Sequence, residues 1–285
     1  MQEKTEKTIR TYEASDKILT PLASVIMAYQ ELYWSRHVIW HLFIRDFVAG
    51  FRQQILGYFW IVLTPLIGIV SFVFMQKTGI LNPGDVGIPY PVYVYIGTTI
   101  WALLINTITV VSGGLINNTD LVMRTNIPKI SLAVTGLANI FYNLLVNMAV
   151  LIVLLLALKI TPSIWIIFYP LAVLPIIMLG MGIGLFLSVV GSVARDVSGM
   201  FISVFNLAMY ITPVVYTAQF EQPILQTIVN WNPLSYLINS PRSLVVLGEF
   251  PDPGAYALAT LSAFFLLFLG VHIFYLIKDK VAERL

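Results

Sequence analysis

The feature that most constrains the fold of this chain is a set of six long stretches that lack Asp, Glu, Lys and Arg. They cover residues 53–76, 86–119, 130–158, 160–194, 197–220 and 253–277. A helix that crosses the hydrocarbon core of a bilayer needs about 20 mostly apolar residues, so each stretch is long enough for one crossing. Only 11% of the residues are charged, against about 25% in a typical soluble domain. We therefore predict an all-α integral membrane protein with six transmembrane helices.

The positions of Lys and Arg predict how these helices are oriented. Thirteen of the sixteen basic residues fall in the N-terminal segment, the 2–3 and 4–5 loops and the C-terminal tail; the other three are Lys77, Lys159 and Arg242. Basic residues accumulate on the cytoplasmic side of membrane proteins, so both termini should be cytoplasmic. Residues 1–17 carry eight charges and no apolar core, unlike a signal peptide. We assign residues 1–23 to a cytoplasmic tail.

Residues 24–53 have the pattern of a separate amphipathic helix ahead of the six-helix domain (54–285). His37, His41 and Arg45 form a polar stripe on this helix. Apolar and aromatic residues follow helical spacing roughly opposite to the stripe: Val25, Tyr29, Leu32, Ile39, Trp40, Phe43, Phe47 and Phe51. This pattern is typical of a helix that lies in the membrane interface. The alternative is a soluble helix packed on a cytoplasmic domain.

A further uncharged run, 222–241, is too polar for a lipid-facing span, since eleven of its twenty residues are Gln, Asn, Ser, Thr or Pro. Six prolines between 213 and 253 keep any helix short. We predict that residues 217–250, named here the gate segment, form two short helices (224–231 and 234–240) that re-enter the outer leaflet and close a channel. An ordinary loop is the alternative. The candidate gate residues are Trp231, Asn232, Pro233, Tyr236 and Asn239.

The 2–3 loop, N-N-T-D-L-V-M-R-T-N-I-P-K-I-S-L, combines charged and apolar residues on the basic side of the chain. Pro128 would begin or end a helix there. We predict a short amphipathic cytoplasmic helix in residues 120–130, named here the coupling segment, whose exposed side docks a soluble partner. The alternative is a loop that only sets topology. The candidate docking residues are Asp120, Arg124, Asn126, Ile127, Pro128 and Lys129.

The sequence lacks the residues that several classes of function require. There is no G-x-x-x-x-G-K-[ST] nucleotide-binding loop and no cysteine, and His37 and His41 have no evident third metal ligand. The apolar centres of the six stretches carry no charge, although ion-driven transport and intramembrane catalysis normally need polar groups there. These patterns favour a passive transport subunit, not an enzyme, that is powered by a partner.

The aromatic residues suit a pathway for sugars, because Tyr and Trp offer a flat apolar face and a hydrogen-bonding edge. In the first two stretches Tyr58, Trp60 and Tyr95 are our candidates for channel contacts with a glycan. Aromatic residues are also enriched at membrane interfaces, so ordinary belt residues are the alternative.

Five motifs occur in order: L-G-Y-F-W-I-V-L-T-P-L (56–66), R-T-N-I-P-K-I in the 2–3 loop, A-R-D (194–196), T-P-V-V-Y (212–216) and W-N-P-L-S-Y-L-I-N-S-P-R-S-L-V-V-L-G (231–248). From about residue 30 to the end, the chain resembles the permease subunits of type-2 ABC exporters, in the group that exports O-antigen, capsular polysaccharide or teichoic acid.

The resemblance implies a homodimer in the bacterial inner membrane, assembled with two separate ATPase subunits that bind ATP and Mg, with no cofactor on this chain. It implies that the coupling segment docks on the ATPase and that Arg45, Asp46 and Arg52 belong to the interfacial helix. The cargo would be a polyprenyl-linked polysaccharide that moves from cytoplasm to periplasm. Alternatives are an ABC exporter of drugs or lipids and a membrane-embedded transferase acting on polyprenyl-linked glycan.

Overall fold

The computed structural model describes residues 20–52, 59–217, 219 and 222–281, which form helices and turns without a strand. Four helical stretches in these residues are long and apolar enough to cross a membrane: Tyr90–Gly113, Lys129–Ala157, Ile164–Ser192 and Pro253–Lys278. Two shorter apolar helices, Leu63–Lys77 and Asp196–Ala208, coincide with the other two predicted crossings. The all-helical class and four of the crossings therefore agree with the sequence.

The helices are numbered in chain order. Their bounds are α1 Pro21–Trp34, α2 Arg36–Arg52, α3 Phe59–Lys77, α4 Tyr90–Gly113, α5 Thr119–Arg124, α6 Lys129–Val134, α7 Leu137–Ala157, α8 Tyr169–Ala172, α9 Leu174–Val193, α10 Arg195–Ala208, α11 Pro223–Trp231, α12 Pro233–Val246 and α13 Pro253–Val281. Short 3-10 turns precede α5 and α8 (Ile116–Asn118 and Ile164–Phe168).

Close approach of α4 and α13 to α9 organises the fold. Cβ atoms added at Gly180 and Gly184 would lie 2.8 and 2.7 Å from side-chain atoms of α4, whereas one at Gly182 would lie 2.6 Å from the carbonyl oxygen of Leu266 in α13. Small residues let helix backbones approach closely in membrane proteins. The alternating glycines of L-G-M-G-I-G therefore place α4 on one side of α9 and α13 on another.

Replacing Gly182 with alanine should separate α9 from α13, because the new methyl group would meet backbone atoms that cannot rotate away. Overpacking of this kind costs about 1–3 kcal/mol. We expect a lower thermal unfolding midpoint for the chain in detergent. Gly68→Ala in α3 is the matched control, since nothing lies within 4 Å of an added Cβ there. Equal midpoints for the two variants would contradict the packing described.

The N-terminal helix predicted over 24–53 is wrong as a single element. It consists of α1 and α2, separated at the buried residue Ser35. The face of α1 that packs on the protein is the small-residue pair Ser24 and Ala28, while Tyr29 and Trp34 are exposed. Sequence spacing had placed Tyr29 on a common apolar face, but a close helix contact requires small residues.

Hydrogen bonds between distant segments define two ends of the bundle. At the end that contains the gate segment, the Thr217 amide donates to the Pro83 carbonyl (2.8 Å) and the Ser163 amide to the Val245 carbonyl (3.0 Å). At the end that contains the coupling segment, Lys129 Nζ donates to the Lys278 carbonyl (2.8 Å). We call these the gate end and the coupling end.

The helix in the fifth predicted crossing (stretch 197–220) is shorter than expected. α10 ends at Ala208 and turns follow over residues 209–216. At 1.5 Å per residue, a 14-residue helix is about 21 Å long, short of the roughly 30 Å hydrocarbon core. The turns that follow are held on α4, where Tyr90 and Tyr93 donate from their hydroxyls to the carbonyls of Val215 and Tyr216 (3.0 and 2.7 Å).

The gate segment forms two short helices, α11 and α12, but the second does not end before Pro241 as predicted. α12 continues through Pro241 to Val246. A proline inside a helix costs about 3 kcal/mol. Burial of Leu237, Ile238, Leu244 and Val245 against the bundle offsets this cost. Proline spacing alone therefore gave the wrong end of this helix.

Candidate functional site

The coupling segment presents charged residues on a short helix that is anchored by apolar ones. In α5, Val122 is buried, and Leu121 and Ile127 pack against the buried residues of the coupling end. Asp120 and Arg124 are 89% and 80% exposed and face each other at 3.6 Å. An exposed ion pair of this kind contributes little to stability, so both charges remain available to a partner.

The remaining candidate docking residues lie beside α5. Asn126 is exposed, as is Met123 of α5, whereas Ile127 and Pro128 are half-buried. Pro128 caps α6, whose first residue is Lys129. The six predicted residues therefore lie in α5, in the turn that follows it and at the first position of α6.

Polar contacts connect the coupling segment to the first and last helices. Lys129 Nζ donates to the backbone carbonyl of Lys278 in α13, and Lys278 Nζ donates to the Glu31 carboxylate in α1 (2.9 Å). Tyr275 also donates to Glu31 (2.7 Å). A second link between α1 and α13 joins Ser24 Oγ and His272 Nδ1 (3.0 Å). Displacement of the coupling segment would therefore act on α13 through Lys129, and on α1 through the contact between Lys278 and Glu31.

The predicted residues of the interfacial helix also approach this region. Arg45 Nε donates to Asp46 (2.7 Å), and Arg45 Nη2 donates to Asn118, just before α5 (3.2 Å). The Arg52 side chain lies outside the described part of the structure. Arg45 thus connects α2 to the turn that leads into the coupling segment.

The predicted gate residues hold the two helices of the gate segment together. Asn232 Oδ1 accepts from the Leu234 amide and Nδ2 donates to Thr212 (both 3.0 Å), so this side chain begins α12 and fixes it to the turns after α10. Tyr236 donates to the Asn230 carbonyl (2.9 Å). Trp231 is 84% exposed and Pro233 is exposed at the first position of α12.

Asn239 leads to a residue that the sequence reasoning missed. Its Oδ1 accepts from Arg242 Nη1 (2.9 Å), and Arg242 Nη2 donates to the Val214 carbonyl (2.7 Å). The Arg242 guanidinium lies 3.7 Å from the centre of the Tyr93 ring, and the residue is only 3% exposed. Within the described residues, no carboxylate lies within ion-pair distance of Arg242. The sequence signal for Arg242 was that a single basic residue directly follows the uncharged run 222–241.

The three aromatic candidates for a channel are not brought together. Tyr58, and the side chain of Trp60, lie outside the described residues. Tyr95 is 1% exposed and donates from its hydroxyl to the Asn147 carbonyl in α7 (2.8 Å). A side chain enclosed between α4 and α7 has no surface to offer a polymer, so this placement favours a packing role for Tyr95.

No group of three or more His, Asp or Glu side chains that could hold a metal ion occurs in the described ranges. His37 is exposed and lies next to Arg36, whose Nε is 3.4 Å from its Nε2. The chemistry that these sites offer is charge and hydrogen bonding at the two ends of a helical bundle.

Comparison with known proteins agrees with this architecture. The family described as "ABC-2 type transporter" matches residues 37–246. An O-antigen export system permease protein, RfbA, of Klebsiella pneumoniae is 24% identical over 243 residues, which cover 85% of this chain and 92% of the relative. The protein of the same name from Myxococcus xanthus is 22% identical over 269 residues, or 92% of this chain and 100% of the relative. The chain therefore belongs to the ABC-2 transporter membrane family.

Proposed function

We propose that this chain is the permease subunit of an exporter that moves a polyprenyl-linked, O-antigen-like polysaccharide from cytoplasm to periplasm. Two copies would form the pathway in the bacterial inner membrane, with both termini cytoplasmic. Two ABC ATPase subunits would bind and hydrolyse ATP with Mg, and this chain would supply no catalytic residue. We infer the cargo from the names of the relatives, which are called O-antigen export permeases.

The observation that carries the proposal is the coupling segment. An exposed, charged helix is mounted on buried apolar residues and connected by Lys129 and Glu31 to α13 and α1. Such a surface can receive a soluble partner and transmit its displacement to the bundle. The proposed bundle has six crossings. Four are the longer spans, the fifth is α3, and the sixth is α10 together with the turns that follow it.

The proposed interfacial element is α1 with α2. Large aromatic side chains on these helices are exposed, including Tyr29, Tyr33, Trp34 and Trp40. Aromatic rings favour the headgroup region of a bilayer, so this surface is suited to lie against lipid while Ser24 and Ala28 pack on the protein. Tyr58 and Trp60 remain our candidates for contact with the moving glycan.

Reconstitution tests the function directly. Proteoliposomes should contain this chain, its ATPase and polyprenyl-linked polysaccharide on the ATPase side, and the polymer that reaches the opposite side is measured with a membrane-impermeant lectin or glycosidase. We expect transfer only with ATP and both proteins. Transfer of a drug or lipid but no glycan would indicate the alternative exporter. Glycan modification by the purified chain alone would indicate a transferase.

The gate proposal predicts state-dependent labelling of the gate segment. The buried serines Ser235 and Ser240 can be replaced by cysteine at nearly equal size in a chain that has no cysteine. We expect slow reaction with a membrane-impermeant thiol reagent at rest and faster reaction with ATPase and ATP. Thr78→Cys, which is exposed at the gate end, should react equally in both states. Uniform labelling through 222–240, unchanged by ATP and ATPase, would show a solvated loop instead of a gate.

A further inference from the structure

A cavity of about 390 Å³ opens at the gate end between α11, α12 and the start of α4. Its volume falls within the range of about 300–1,000 Å³ that is usual for small-ligand sites. The walls come from both helices of the gate segment, from residues 86–93 and from the turn after α12.

The lining of this cavity is rich in neutral hydrogen-bonding groups. Side-chain hydroxyls and amides outnumber charged groups, and only Arg242 and Asp252 carry a charge. The neutral polar lining includes Thr217, Gln226, Asn230, Ser235, Tyr236, Asn239, Ser240 and Ser243. Amides and hydroxyls both donate and accept hydrogen bonds, as the hydroxyl groups of a sugar also do.

Two lining residues have unsatisfied polar atoms although they are almost completely buried. Ser235 and Arg242 are 2% and 3% exposed, and within the described residues neither Ser235 Oγ nor Arg242 Nε has a hydrogen-bond partner. Buried polar groups in native proteins are nearly always paired with protein or with ordered water. Both atoms are closed to solvent, so the hydrogen-bonding groups that an occupant can reach are those of the more exposed lining residues, such as Asn230, Tyr236 and Ser243.

The charges argue against an anion as the natural occupant. The guanidinium of Arg242 is already engaged by the Val214 carbonyl, Asn239 Oδ1 and the face of Tyr93. Asp252 is exposed where it lines the cavity, and its carboxylate would repel an approaching phosphate or acidic sugar. A neutral, hydroxyl-rich molecule needs no free cation from Arg242 and is not repelled by Asp252.

We propose that this cavity binds one neutral sugar unit through the amide and hydroxyl groups of α11 and α12. That the sugar belongs to the exported polymer rests on the proposed function, whereas the binding itself does not. Because the walls come from both gate helices and from the segment before α4, an occupant would bridge elements that must separate if the gate opens. The cavity would then report the presence of glycan at the exit of the pathway.

The test uses the purified chain in lipid nanodiscs without ATPase. Methyl glycosides of glucose, galactose, mannose and rhamnose are titrated and binding is followed by saturation-transfer difference NMR. We expect saturable binding of at least one glycoside. Ser243→Phe should fill the cavity and abolish binding, and Asn230→Ala should weaken it about three- to tenfold, the value of one hydrogen bond. Thr78→Phe, an exposed position at the same end outside the cavity, is the matched control and should bind normally.

Three results would overturn the inference: no saturable binding, binding unaffected by Ser243→Phe, or a stronger signal for methyl glucuronide than for every neutral glycoside. Thermal unfolding of each variant shows that a loss is not due to misfolding, and Asn230→Ala, which removes an exposed amide and its hydrogen bond to Gln226, gives a second measure. Polysaccharide export without glycoside binding would refute the cavity alone. Glycoside binding without export would refute the proposed function and leave the site.

Discussion

Reversal of the charge on Arg124 to glutamate is expected to abolish ATP-driven export while the chain still inserts and dimerises. Arg124 is exposed on α5, where its side chain faces Asp120 at 3.6 Å. If the ATPase supplies a carboxylate there, loss of one partner of an interfacial charge pair costs about 2–5 kcal/mol. The affinity of the ATPase should fall about thirtyfold to several thousandfold, which co-purification and export assays measure.

Two controls separate docking from local helix stability. Lys77→Glu makes the same charge reversal at an exposed position of the gate end and should leave ATPase binding unchanged. The double exchange Asp120→Arg with Arg124→Asp restores an ion pair within α5 but reverses both charges toward the partner, so it should remain defective. Normal co-purification and export by Arg124→Glu would remove this residue from the coupling mechanism.

Replacement of Arg242 by methionine is expected to release the turns after α10 from the gate segment. The substitution leaves the Val214 carbonyl and Asn239 Oδ1 without their donor. Buried acceptors without partners cost about 1–3 kcal/mol each, so the thermal unfolding midpoint should fall clearly. Arg242→Lys should not rescue it, because an ammonium cannot reproduce the planar fork of donors that reaches both acceptors.

Local release can be measured separately from global stability. Val215 is 3% exposed beside this contact, and Val215→Cys should react slowly with a thiol reagent in the parent and quickly when Arg242 is replaced. Lys77→Met removes a basic residue from an exposed site at the same end and is the control for loss of charge. Equal reactivity of the introduced thiol with and without Arg242 would show that the arginine does not hold these turns.

The features that the sequence predicted best depend on composition over long windows. Lipid requires about 20 consecutive apolar residues for each crossing, so the uncharged stretches located the long helices α4, α6 with α7, α9 and α13. In the coupling segment a short helix does occur, but α5 ends at Arg124 and Pro128 caps the start of the next helix, α6. The family could also be predicted from the sequence, because its five motifs occur in order along the chain.

Contacts between residues that are distant along the chain could not be predicted from composition or from local motifs. Ser35 carries no breaking signal, yet the chain separates α1 from α2 there because α1 packs mainly on α13 whereas α2 packs on α6 and α7. Pro241 signalled a helix end that burial of Leu244 and Val245 overrides. The partners of Arg242 lie far away along the chain, in the turn at Val214 and in the ring of Tyr93, so no short window of sequence contains them.

The alternating glycines of α9 restrict which motions an export cycle can use. Sliding α13 along α9 by one helical turn would bring Met178 or Phe186, which share a face with Gly182, to the place where Gly182 meets the Leu266 carbonyl. α4, α9 and α13 should therefore travel as one rigid body, with fixed register, through every state of the transporter. Rearrangement is left to the elements joined to this body by side-chain contacts, namely α3, α10 and the gate segment. Disulfides that staple α9 to α13 should be tolerated during transport, whereas a disulfide between α10 and α4 should stop it.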